Sequence, residues 1–328
     1  MSATLRARLA TAGTPGDAVR AAARSGALDG HTSGLAPGYA QANLVLLPRE
    51  HALDFLLYCV RNPLPCPLLE VTDAGVWEAA RVAPGSDVRV DAPRYRVWRH
   101  GVCTEEVTEI RHLWPDAAAP APPAGGGGGG DPAAAPRPHP DARTDWVAFL
   151  LGCSFSFEEA LLREGLPVRH LQQERSGGDP LSGSTLAADP LNVPMYATSL
   201  PTVAAGPFRG PLVVSMRPMQ PREALRAAEV TRGFPRVHGA PVFAGDPALL
   251  GIRDLQRPDY GDAVAVREGE VPVFWACGVT PQAALLAAAL PLAITHAPGH
   301  MFVTSIRNEA LAGAGERLAV PPGGLALG

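Results

Sequence analysis

The sequence predicts an α/β fold: a mixed sheet with flanking helices, plus a smaller α+β lobe containing a β-meander. Three features point there. Apolar strand-like runs alternate with helical patterns between Ala42 and Ile306, two helical patterns open on proline at a tolerated first-turn position (Pro221 and Pro281), and Asp87–Ile110 alternates with period two. With 328 residues and a hydrophobic content of 46%, the chain can bury one compact unit with two lobes. The main lobe is expected to join residues 1–80 to 200–328, with the smaller lobe spanning 81–199.

Taken in order, Pro15–Ser25 reads as a short helix, Ala42–Leu47 as a strand and Glu50–Arg61 as a helix. Asp87–Ile110 reads as three strand pieces with a turn at Arg99–Gly101, which is the meander. Asp145–Glu164 reads as an amphipathic helix preceded or interrupted by a Gly-Cys-Ser turn. Pro211–Met216 is a buried strand and Pro221–Arg232 a helix. Ala263–Val266 and Val271–Ala276 suggest a hairpin around Glu268–Glu270. Pro281–Leu290 is an alanine-rich helix, and Ala293–His296 and Met301–Ile306 are the last strands. No internal repeat is evident. Residues 116–143 hold a six-glycine run between Ala/Pro repeats and predict a disordered insertion; Ser176–Asp189 is a second polar loop.

A net charge of −4 gives no general attraction to phosphate backbones or anionic lipid, so nucleic acid and membranes are not expected partners. No run of about 18 apolar residues predicts a membrane span. Five cysteines without C-x-x-C spacing argue against a disulfide framework or zinc ribbon and suit reduced thiols in the cytoplasm. Self-association stays open.

Six loops concentrate chemistry. His31–Asn43 gathers His31, Thr32, Ser33 and Asn43 around Gly34 and Gly38, as an anion site or as ordinary turn chemistry. Gly152–Glu159 sets Cys153 and Ser154 before an acidic pair at a helix start, where the thiol is either activated or a small buried filler. Pro211–Pro218 delivers Ser215 and Arg217, a carboxylate fork or a structural ion pair. Val237–Asp262 supplies His238, Asp246, Asp254, Asp259 and Asp262 for acid–base work, cation binding or turns. Phe274–Gln282 places Cys277 before a helix opening near Thr280. Ile294–His300 carries His296 and His300, but Pro298 and Gly299 forbid the helical spacing of a zinc pair. P-loop, dinucleotide-fold, serine-hydrolase and H-E-x-x-H motifs are absent.

Read together, TSGLAPGYAQANLVLLP (32–48), RNPLPCPLLEV (61–71), DAPRYRVW (91–98), FLLGCSFSFEEAL (149–161), VPMY (193–196), VVSMRP (213–218), HGAP (238–241), VPVFWACGVTPQ (271–282) and ITHAPGHMFVT (294–304) resemble the D-glutamate cyclase family, also catalogued under the name hydro-lyase. The resemblance implies a carbon–oxygen lyase that closes D-glutamate to 5-oxo-D-proline with loss of water, or a hydro-lyase on another small carboxylic acid; a non-catalytic anion binder is the alternative from another class. It implies no obligatory cofactor, although a divalent cation could polarise the carboxyl group.

The implied catalytic set is His238, His296, Asp259, Asp262 and Cys277. His238 or His296 would be the base, with Asp259 or Asp262 supplying a proton or orienting a histidine. The implied substrate-binding set is Thr32, Ser33, Gly34, Asn43, Cys153, Ser154, Arg217, Thr280 and His300. There Arg217 and the Thr32–Gly34 amides would hold carboxylates, and amides near Gly278–Thr280 would stabilise an oxyanion. The chain departs from the family pattern at Phe243, where a histidine is common, at Ala197 and Ser199, and at Ser305. These departures weaken a two-histidine metal site around His238.

Overall fold

A computed structural model describes residues 1–116, 142–173 and 191–312. The glycine-run insertion, apart from its edges, and the Ser176–Asp189 loop lie outside the described residues. In chain order the elements are α1 (Ala3–Leu9), α2 (Gly16–Arg24), β1 (Tyr39–Pro48), α3 (Arg49–Arg61), β2 (Leu68–Val71), β3 (Tyr95–Arg99), β4 (Val102–Val107), β5 (Trp146–Gly152), α4 (Phe155–Arg163), α5 (Arg169–Gln172), β6 (Met195–Pro201), β7 (Pro211–Met219), α6 (Pro221–Arg232), β8 (Phe243–Ala244), β9 (Val271–Ala276), α7 (Val279–Ala288), β10 (Ala293–His296) and β11 (Phe302–Arg307).

The strands form two sheets, and every described pairing is antiparallel. The larger runs β2-β5-β1-β10-β3-β4, with β11 also on β1; the smaller runs β6-β7-β9-β8. Helices interleave with these strands, giving the mixed α/β class. The expected lobe boundary near residue 80 does not separate sheets, because β3 pairs with β10 and β5 with β1, and β4 joins the same sheet through β3.

Strand β1 organises the larger sheet. Its run Ala40–Pro48 is buried throughout, because both faces of the sheet are covered. Leu44 and Leu46 enter one core with Trp146, Leu150, Phe157 and Trp275. Val45 and Leu47 point the other way, into a core with Phe55, Tyr58, Phe149 and Leu285. Period-two geometry makes that division. Phe55, Tyr58 and Cys59 give α3 a single buried stripe at i, i+3 and i+4.

Three local expectations are corrected. Residues 146–152 form a strand, not the first half of a helix: WVAFLLG is wholly buried between two cores, so it lacks the polar face of an amphipathic helix. The meander reduces to the β3–β4 hairpin. Its first piece is instead a turn region, in which Asp91 accepts from the Asp87 amide (2.8 Å) and the Tyr95 hydroxyl donates to the Val88 carbonyl (2.8 Å). Ala263–Val266 pairs with no strand, and β9 lies between β7 and β8. No described helix is long and apolar enough to cross a membrane.

Candidate functional site

A small pocket opens between the two sheets. Its wall is drawn from four places: Asn43 on β1; Cys153, Ser154 and Phe155 at the start of α4; Asn192, Val193 and Met195 at the start of β6; and Cys277, Gly278, Val279, His296 and the 298–301 loop. Five residues singled out in the sequence, Asn43, Cys153, Ser154, Cys277 and His296, therefore meet on one cavity.

Two strand-to-helix corners build the floor, and they are the same corner twice. At the first, Ala42 pairs with Gly152, the Cys153 amide donates to the Gln41 carbonyl (3.1 Å), and the Ser156 hydroxyl accepts from the Gln41 amide (3.0 Å). At the second, Val214 pairs with Ala276, the Cys277 amide donates to the Val213 carbonyl (3.0 Å), and the Thr280 hydroxyl accepts from the Val213 amide (3.0 Å). The strings CSFSFEEALL (153–162) and CGVTPQAALL (277–286) align without a gap. The chain thus carries an internal repeat, which corrects the expectation of none; only the cysteine, the Ser/Thr and the A-L-L tail persist in sequence.

Both thiols are buried and neutral. Burial pushes Cys153 upward, a nearby Cys277 adds to the push, and the Phe155 amide counters it in part. Burial pushes Cys277 up to about 11, partly countered by the Val279 amide. His296 is held down at about 4, first by burial and then by the charges of His300 and Arg96. Its Nδ1 reaches both the amide nitrogen (3.1 Å) and the carbonyl oxygen (3.2 Å) of Leu44, and the Gln282 amide nitrogen lies 3.3 Å away. This contact falls where β10 leaves β1 and β11 takes over, so the strand's own ladder leaves Leu44 to the imidazole.

The remaining candidates stand elsewhere. Arg217 is buried behind Ser154: its guanidinium contacts Glu158, donates to Ser154 Oγ (3.2 Å) and Ser215 Oγ (3.1 Å), and lies 5.0 and 5.3 Å from the Phe157 and Trp275 ring centres. His170 Nε2 stands 3.2 Å from the same Glu158 oxygen. Arg217 is therefore occupied by an internal carboxylate and does not line the pocket, unlike the expected substrate anchor. The C-terminal-end rule for parallel sheets, which suggested it, has no purchase on antiparallel ladders. His170 was missed and Glu158 was read only as part of the acidic pair at a helix start, because the contacts of Glu158 with Arg217 and His170 join residues far apart in sequence.

His238 is fully buried, and its Nδ1 lies 2.8 Å from the Leu64 carbonyl, which as an acceptor takes the Nδ1 proton. Burial brings it down to about 4, and Nε2 has no hydrogen-bond partner among the described residues. It does not line the pocket. Asp259 accepts from the Ala197 amide (2.8 Å) and borders a separate surface depression, while Asp262 accepts from the Asn192 amide (2.7 Å), positioning a wall residue. Thr32 spends its amide on the Gly299 carbonyl (2.9 Å), and its hydroxyl accepts from the Met301 amide (3.0 Å), so it pins the 298–301 wall. Ser33 is buried, its hydroxyl without a hydrogen-bond partner among the described residues, and Gly34 lines a groove with Gln41 and Glu158. The Thr280 hydroxyl serves the repeat, and His300 packs against His31 with ring centres 5.0 Å apart and planes tilted by 32°. Among the described residues no three His, Cys, Asp or Glu side chains converge as a metal-binding set.

Known proteins are similar to this chain along nearly its whole length. A protein of Rubrobacter xylanophilus named "Putative hydro-lyase" is 52% identical over 297 residues, which cover 90% of this chain and 98% of that one. Same-named proteins of Bacillus velezensis and Stutzerimonas stutzeri are each 51% identical over 294 residues, covering 90% of this chain and 95% and 94% of theirs. The sequence profile described as D-glutamate cyclase matches residues 147–178 and 184–305, a span that contains both repeat corners and His296. The chain belongs to the D-glutamate cyclase family.

Proposed function

We propose that this protein is a hydro-lyase that closes D-glutamate to 5-oxo-D-proline in the pocket between the two sheets. One observation carries the reading: α4 and α7 both begin on the pocket, together with a buried neutral histidine. First-turn amides and the helix dipoles favour the carboxylates of an acidic substrate and the oxyanion formed on attack. The family profile and the relatives' names support the same chemistry.

The reaction balances within the substrate. The α-ammonium gives up two protons, the nitrogen bonds to the carbon of the γ-carboxyl group (Cδ), and one oxygen of that carboxyl leaves as water with those protons. The protein has to carry protons from nitrogen to oxygen. His296 fits that work, because it is neutral and borders the pocket. The carboxylates of a bound substrate would raise its proton affinity towards the working range. Asn43, whose Nδ2 donates to the Gly152 carbonyl (3.0 Å), offers its amide as a fixed polar contact. No step requires a cofactor.

The test is incubation of purified protein with D- and L-glutamate, with 5-oxoproline followed by mass spectrometry. The expected outcome is turnover of the D enantiomer, reduced about a hundredfold or more in His296→Asn. Absence of 5-oxoproline from wild-type protein would sink the reading.

A further inference from the structure

The proton shuttle above leaves the two pocket thiols unused. They are not an arbitrary pair, because they occupy equivalent positions of the internal repeat, one after β5 and one after β9. Each stands two residues before a helix, and each accepts from a backbone amide of its own helix start. Neither thiol has a side-chain hydrogen bond among the described residues, so neither has the adjacent base that a nucleophilic cysteine uses. Both cysteines line the same pocket, one from each copy of the repeat.

We propose that Cys153 and Cys277 form a two-sided acid–base pair that exchanges the proton on the α-carbon of a small α-amino or α-hydroxy carboxylate, an activity separate from ring closure. In one direction Cys277 first ionises, its S–H proton passing to solvent, and its thiolate then takes the Cα–H proton and becomes a thiol. The C–H electron pair moves into the carboxylate as an enediolate, whose added charge lies towards the first-turn amides. Cys153 then gives its S–H proton to the opposite face of Cα and becomes the thiolate. The carbon is inverted and no oxidant, reductant or co-reactant is consumed. The reverse direction exchanges the roles of the two sulfurs, as two enantiomers require. Burial makes each thiolate a stronger base than an exposed one, which suits a weakly acidic C–H bond. Cys277, pushed up less far, is the thiol that ionises first.

Ring closure leaves the Cα–H bond intact, so one experiment reads the two activities separately. Wild-type protein is incubated in D₂O with D-glutamate, L-glutamate and 5-oxo-D-proline, each followed by proton NMR and chiral chromatography. The expected result is loss of the α-proton signal from at least one probe, with appearance of its enantiomer. Cys153→Ala and Cys277→Ala each lower that exchange at least a hundredfold, and Cys→Ser at either position, which preserves size, does the same while thermal unfolding stays wild-type. An α-proton signal that persists for all three probes overturns the proposal, as does unchanged exchange in both alanine variants. Formation of 5-oxoproline with its α-proton intact would support ring closure while overturning the thiol pair. Exchange without 5-oxoproline would do the reverse.

Discussion

At the scale of single residues, the buried imidazoles decide how the protein meets acid. His238 and His296 sit near 4 in the folded chain and near 6.5 when unfolded. Below about 6.5 the unfolded chain takes up protons that the folded chain refuses, so stability falls as pH drops towards 4. Each site contributes about 2–3 kcal/mol of this loss by pH 4.5. His238 lies in the left-handed backbone region (φ 81°), which asparagine also tolerates. Urea unfolding of wild type and His238→Asn at pH 7 and pH 4.5 checks it. The two stabilities should converge by about 2–3 kcal/mol on acidification, while carboxylates such as Glu158 affect both proteins alike. An unchanged gap would mean that His238 does not couple folding to protons. Cys153, Cys277, Asn43 and His296 were legible in the sequence because glycine, proline and polar residues mark the turns that carry them. Arg217 was legible as a buried cation but not as an occupied one, since its carboxylate lies 59 positions away.

At the scale of elements, the repeat corners show why a strand was mistaken for part of a helix. An uncharged apolar run such as WVAFLLG has no face to betray its period when both sides are covered. The corners also differ from each other in one telling way. Where the first has Ser154, the second has Gly278, and a Cβ there would lie 2.0 Å from Asn43 Nδ2. Gly278 has an ordinary helical backbone, so alanine adds no torsional strain. Gly278→Ala should therefore displace the Asn43 amide from the Gly152 carbonyl, cutting kcat/KM at least tenfold while shifting stability by only about 1 kcal/mol. Steady-state kinetics beside thermal unfolding tests this, and an active variant would remove Asn43 from the substrate's surroundings. Gly152 has a different reason to be small: a Cβ would meet the Arg236 carbonyl oxygen at 2.0 Å, which the packing of Val237 against the sheet does not permit.

At the scale of the whole molecule, the buried Arg217–Glu158 pair joins the two sheets. Glu158 rides on α4 behind the larger sheet, and Arg217 stands on β7 of the smaller one, between the Phe157 and Trp275 rings. Burial alone would raise Glu158, but His170 and Arg217 outweigh it and hold the carboxyl below its ordinary value. Glu158→Gln strands the guanidinium without its counter-ion and should cost about 3–5 kcal/mol in denaturant unfolding. A loss under 1 kcal/mol would show that the sheets are held together by apolar packing alone. The Asn43–Gly278 contact has a consequence for handedness. A cavity faced by two identical corners would present the same surroundings to a ligand and to that ligand turned end for end, and could not tell which of two carboxylates was which. The amide that crosses from β1 into the space left by Gly278 has no counterpart at Ser154. It marks one end of an otherwise two-fold chamber and so gives a ligand with two like ends a direction in which to lie.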